Sequence, residues 1–139
     1  MTESADMLGT KIRRLQPLRV LVSGRDRRFV RVTSFLLSRR GYDVVHTSPA
    51  EAVKAAERLR ADVVLLEANA RVTAARYVAA LQALAAAPSV LLLVESDHGR
   101  WDGLPTIRKW TPLDDLVDEI EAASSKRPAP VPDAEGRAL

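Results

Sequence analysis

The chain predicts an α/β domain in which five parallel strands form one sheet with helices on both faces. Three observations carry that expectation. Short apolar runs recur at Val20-Leu21-Val22, Val63-Val64-Leu65-Leu66 and Val90-Leu91-Leu92-Leu93-Val94. They are continuous rather than alternating, the pattern of strands buried on both faces. Segments with helical spacing of apolar residues separate them, and the connections are short, as right-handed strand–helix–strand units require.

Each element follows from local chemistry. Residues 1–17 show no sustained period and read as a flexible segment, with Leu8, Ile12 and Leu15 as one short amphipathic turn. Arg19 to Ser23 is the first strand. Asp26 can N-cap a helix from Arg27 to Arg40 that ends at Gly41. On that helix Phe29, Val32, Phe35 and Leu36 form the expected inward face, and the arginines are solvated. Asp43 to His46 is a second strand. Ser48-Pro49-Ala50-Glu51 has the form of a capping box with proline at the first helical position, opening a helix through Leu59.

Asp62 to Leu66 is the third strand, and a helix from Val72 to Ala86 follows with Tyr77, Val78, Leu81 and Leu84 inward. Val90 to Val94 is the fourth strand. The stretch from Glu95 to Pro105 is crowded with Ser, Asp, Gly and Pro and is too broken for a full helix, so the crossover between strands four and five is shortened. Thr106 to Arg108 makes a brief fifth strand, and Thr111-Pro112 opens a last helix with Leu113, Leu116, Val117 and Ile120 inward. The expected organisation is a flexible segment over 1–17, a domain over 18–123 and a disordered tail rich in Pro and Ala over 124–139.

Composition narrows the function classes. The 139 residues suffice for one core. No cysteine is present, which excludes disulfides and thiolate metal sites. No apolar run approaches the ~20 residues of a membrane span, and no secretory signal pattern opens the chain, so a cytoplasmic protein without membrane contact is expected. The net charge of +3 conceals an asymmetry: residues 11–40 hold ten Lys or Arg against Asp26 alone. Such a lobe suits an acidic partner or a solvated helix face. It carries no helix-turn-helix pattern and few aromatics, which disfavours nucleic acid. His46 and His98 have no companion ligands at metal spacing.

Sites in open α/β sheets form beyond the carboxyl ends of the strands. Three strands here end at Gly24-Arg25-Asp26, Glu67 and Lys109. The segments Arg19 to Tyr42, Ala61 to Asn69, and Lys109 with Leu113 to Ile120 resemble, in order and spacing, the receiver domain of two-component response regulators, a flavodoxin-like fold with strand order 2-1-3-4-5. The resemblance implies a signalling domain and assigns a degenerate phosphoacceptor pocket to Gly24, Arg25, Asp26, Glu67, Asn69, Val94 and Lys109. Gly24 and Arg25 stand where the family places an acidic pair for Mg²⁺. Glu67 takes the place of the acceptor aspartate, Val94 (or, with a two-residue shift, Ser96) that of the switch threonine or serine, and Trp110 that of the proline after the lysine.

These replacements have physical consequences. Phosphoryl transfer to a carboxylate needs a divalent cation, and Mg²⁺ wants several hard oxygen ligands. Gly24 offers none, Arg25 brings a fixed positive charge, and Glu67 lengthens the acceptor arm by one methylene. A salt-bridged cluster is expected instead, with Lys109 and a bidentate Arg25 fork both on Glu67. Asp26 reads first as an N-cap and second as a metal ligand.

The leading expectation is a stand-alone receiver-like protein, not an enzyme, that needs no cofactor and acts through protein contact without phosphorylation. The resemblance places its contacts at the arginine-bearing first helix (Arg27, Arg28, Arg31) and at Trp110 with the last helix. A histidine kinase, another regulator or a second copy of the chain would be the partner. The alternatives are an active phosphoreceiver using Glu67 and Mg²⁺, and a nucleic-acid-binding regulator using the basic lobe.

Overall fold

The computed structural model describes residues 16–68, 71–95 and 105–126. Its strands are β1 (Arg19–Ser23), β2 (Asp43–Thr47), β3 (Val63–Glu67), β4 (Ser89–Val94) and β5 (Thr106–Arg108). Its helices are α1 (Arg27–Arg39), α2 (Ala52–Leu59), α3 (Arg71–Gln82) and α4 (Leu113–Lys126). The sheet is parallel throughout and ordered β2-β1-β3-β4-β5, as expected. Backbone pairs such as Val22 with Leu65 and Leu65 with Leu91 set the register that aligns the strand tips.

Because successive strand side chains point to opposite faces, the continuous apolar runs feed two cores. Leu21, Val64, Leu66, Leu92 and Val94 meet α2 and α3 through Ala52, Ala55, Ala56, Val78 and Leu81. Val20, Val22, Val63, Leu65, Leu91 and Leu93 meet α1 and α4 through Phe29, Val30, Leu37, Leu116 and Ile120. An ion pair from Arg40 to Asp114 ties the end of α1 to the start of α4.

The local signals for α1 hold at both ends. The Asp26 carboxylate accepts the Phe29 N–H at 3.1 Å as an N-cap. Gly41 follows the helix with φ of 96°, a left-handed turn that other residues adopt only with strain.

The phase of α1 differs from the expected one. Its buried residues are Phe29, Val30, Thr33, Ser34 and Leu37, whereas Val32, Phe35 and Leu36 lie at the surface, Phe35 being 60% exposed. Apolar residues occupy two adjacent stripes of this helix, and small Thr33 and Ser34 let the helix sit close to the sheet. The close-packed stripe is the one that is buried.

The capping box also differs. Ser48 precedes a 3₁₀ turn over Pro49–Glu51 and its hydroxyl makes no capping bond, so the α-helix proper begins only at Ala52. The last helix continues to Lys126, into the segment expected as tail. The expectations for residues 1–15, for Asn69, for the shortened crossover with Ser96, His98 and Trp101, and for residues 127–139 lie outside the described residues.

Candidate functional site: a saturated ion cluster at the strand tips

Parallel register brings the ends of β1, β3, β4 and β5 to one edge of the sheet. Lys109, the residue after β5, is directed inward there, with its side chain 4% exposed. Its ammonium group lies 2.6 Å from Glu67 Oε2, 3.2 Å from Asp26 Oδ2 and 3.2 Å from Glu95 Oε2. A lysine ammonium has three N–H donors, and here each has a carboxylate acceptor.

The second oxygen of Glu67 is equally committed. Oε1 accepts the backbone N–H of Arg25 at 2.7 Å and of Asp26 at 3.0 Å. To reach them the side chain folds back across the β1 tip, and Gly24 makes room for it. A Cβ at Gly24 would stand 2.8 Å from Glu67 Cβ and closer still to Oε1. Glycine is needed there for close approach.

The Arg25 fork expected on Glu67 does not form. Arg25 reaches Glu67 through its main chain, and its side chain is exposed. Backbone donors fix the carboxylate more cheaply in entropy than a long side chain, because they are already held by the β1–α1 turn.

Electrostatics follow the geometry. Burial pushes the Glu67 carboxyl upward, but the Lys109 hydrogen bond and the Asp26 and Arg25 N–H groups outweigh it and leave the group below its ordinary value. The Phe29 N–H and then Lys109 likewise lower Asp26. Burial pulls Lys109 down, yet Glu67, Glu95 and Asp26 together hold it above the usual lysine range. Asp26, Glu67 and Lys109 are each held in the charged form at neutral pH.

Trp110 continues the cluster outward. The Phe29 ring lies beneath the Lys109 ammonium at 4.9 Å, and Trp110 meets the same ring edge-to-face at 4.9 Å. Trp110 adopts φ of 62°, a conformation costing a non-glycine residue about 1–2 kcal/mol, and it is 56% exposed.

Among the sequence-derived site residues, the structure joins Gly24, Arg25, Asp26, Glu67 and Lys109. Val94 is buried in the α2–α3 core and bonds the cluster only through its carbonyl, which accepts the Lys109 N–H at 2.8 Å. Of the expected contact residues, Arg27 and Arg31 flank a cleft beside β2, while Trp110 groups with Val32 and Leu36 beside α4. Arg28 is exposed. The two contact surfaces expected from the sequence thus lie on opposite flanks of α1. Glu95 was missed, although it follows β4 directly and the strand-tip rule that selects Glu67 would also select it.

The residues present do not fit a magnesium ion. Three carboxylates converge, but the Lys109 ammonium stands at hydrogen-bond distance from all of them, where a cation would have to bind. Neither Gly24 nor Arg25 supplies a side-chain oxygen. Among the described residues no group of three or more acidic or histidine side chains is arranged to hold a metal, and no helix is long and apolar enough to cross a membrane.

No protein-family model matches the sequence, and no curated protein matches it. Solved structures do. A signal receiver domain of a putative Luxo repressor protein from Vibrio parahaemolyticus is 17% identical, with 81% of this chain and 93% of that one covered and a TM-score of 0.66. A response regulator from Desulfuromonas acetoxidans is 18% identical over 78% of this chain and 97% of its own, with a TM-score of 0.64. A response regulator receiver domain protein from Bacillus halodurans is 17% identical at the same coverages, with a TM-score of 0.59. The chain has the receiver fold.

Proposed function

We propose that this protein is a receiver-like signalling protein that works by protein contact, without phosphorylation, catalysis or a metal cofactor. One observation carries the reading: the Lys109 ammonium and the Glu67 carboxylate are fully satisfied by groups of the chain itself. An acceptor carboxylate must leave an oxygen open to phosphorus and share a cation with the incoming group. Glu67 has neither freedom.

The contact surface under this reading is the flank of α1 and β5 that carries Trp110, Val32, Leu36 and the nearby Phe35. Trp110, Phe35, Val32 and Leu36 are 56, 60, 37 and 37% exposed, large apolar side chains of the kind that anchor protein interfaces. A histidine kinase, another regulator or a second copy of the chain is the partner class the fold favours, in the cytoplasm.

The test is amide-resolved NMR of the full chain titrated with Mg²⁺ and then with beryllofluoride, a phosphoryl mimic. Gly24, Asp26, Glu67 and Lys109 are expected to stay unmoved. Localised, saturable shifts at those residues would overturn the reading in favour of a phosphoreceiver that uses Glu67.

A further inference from the structure

Beside the saturated cluster lies an open cleft of about 710 Å³, between the start of α1 and the turn that follows β2. Its volume falls within the range of roughly 300–1,000 Å³ typical of small-molecule sites. Arg25, Arg27 and Arg31 line it, with Thr47 and Ser48 opposite and Tyr77 of α3 at one side. No acidic residue is among its lining residues. None of the three guanidiniums is ion-paired among the described residues. Asp26, the one acid in this stretch of chain, is turned away to the Phe29 N–H and Lys109.

On the opposite wall Ser48 is exposed. Ser48 makes no capping bond to the 3₁₀ turn it precedes. The Thr47 hydroxyl is buried beneath that wall and has no hydrogen-bond partner among the described residues. Three arginines around one concavity, none ion-paired among the described residues, favour an anion of more than one charge, which arginine binds by paired N–H donors. The cleft is much larger than a lone phosphate, and Val30, Pro49, Ala50 and Tyr77 give it apolar walls for an uncharged portion.

We infer that this cleft is a binding site for a phosphorylated small molecule of nucleotide size, held through its phosphates by Arg25, Arg27 and Arg31. The inference does not rest on the proposed function, since neither Glu67 nor Lys109 lines the cleft. It supplies an input for a fold whose acceptor position is occupied by its own side chains. Gly24 and Arg25 belong to both places: their turn borders the cleft and donates to Glu67.

The experiment is a titration of the full chain with ADP at about 150 mM salt, where long-range charge effects are screened, read by amide NMR and calorimetry. Saturable shifts at Gly24 to Arg31 and His46 to Ala50 are expected, with a Kd tighter than about 1 mM. Inorganic pyrophosphate should bind more weakly than ADP, and adenosine should not bind. Arg27→Ala with Arg31→Ala should weaken ADP by about 10-fold or more, and the paired lysine substitutions should restore only part of it, because lysine lacks the fork. Arg39→Ala, at the far end of α1, should leave binding unchanged. Circular dichroism of each variant establishes that it is folded.

Four results would overturn the inference. They are absence of saturation, equal loss with Arg39→Ala, pyrophosphate as tight as ADP, or a DNA duplex that binds tighter than ADP and shifts the whole basic lobe.

Discussion

Two neighbouring places on one rim of the sheet handle charge in opposite ways. At the tips of β1, β3, β4 and β5, Glu67, Asp26 and Glu95 together satisfy Lys109, and even the Glu67 oxygen that faces away from Lys109 is bonded to the main chain. At the tips of β1 and β2, Arg25, Arg27 and Arg31 surround an open cleft without ion-pair partners among the described residues. A buried polar group must be satisfied or it costs stability, whereas an exposed cation is satisfied by water and stays available to a ligand. The comparison teaches that charge at the Glu67 position is spent on holding the fold, whereas charge one strand over is left facing solvent.

The largest effect should come from breaking the closed half. Lys109→Met removes the ammonium while keeping much of the side-chain volume, and leaves Glu67, whose side chain is 5% exposed, without its counter-ion. Removing one partner of a buried pair costs about 3–5 kcal/mol. Chemical denaturation should show a loss of that order. A loss below about 1 kcal/mol, the range of a surface pair, would mean that the cluster is solvated and not structural.

Acid should break the same half more gently. The folded Glu67 carboxyl lies below its ordinary value of 4.5. A carboxyl with a depressed folded pKa contributes stability that is fully present above the unfolded value and is lost as pH falls through the folded one. Stability should therefore be flat from neutral pH down to about 4.5 with respect to this group and decline below it. Lys109 has the opposite sign: its raised pKa contributes below its ordinary 10.5 and is lost only as pH rises through the folded value. In Glu67→Gln the acid-side decline should shrink, while stability at neutral pH falls by about 1.5–3 kcal/mol, the worth of a charge-assisted hydrogen bond. An unchanged acid limb in Glu67→Gln would assign the decline to other carboxylates.

How much of this was legible in the sequence depends on which atoms do the bonding. The parallel sheet, the Asp26 cap, the Gly41 turn and the meeting of Asp26, Glu67 and Lys109 follow from periodicity and from where apolar runs stop, and the strand order from the resemblance to receiver domains. The phase of α1 did not, because Phe29-Val32-Leu36 and Phe29-Val30-Leu37 are both plausible apolar faces. The burial of Thr33 and Ser34 is decided by helix–sheet distance, which composition does not encode. The role of Arg25 was misread for a related reason. Main-chain N–H groups have no letter in a sequence, so an arginine next to a glutamate suggests a side-chain pair. Gly24 was the available signal, a residue without a Cβ where a side chain from β3 has to cross.

That misreading gives the sharpest separation of the two halves. In Arg25→Ala the N–H that binds Glu67 remains, and so does the whole Lys109 network, because the guanidinium takes part in neither. Substitutions of exposed side chains away from such networks usually fall within about 0.5 kcal/mol, and stability should change by no more than that. The acid limb of the stability curve should also keep its position. Side-chain resonances of Glu67 and Lys109 should not move, whereas those of Arg27, on the same wall of the cleft, and Ser48, across it, should. A destabilisation approaching that of Lys109→Met would show that the guanidinium serves the cluster after all, and would merge the two regions that the geometry keeps apart. A silent Arg25→Ala leaves the backbone of residue 25 to the fold and its side chain to the cleft, two functions at one position separated by the length of a side chain.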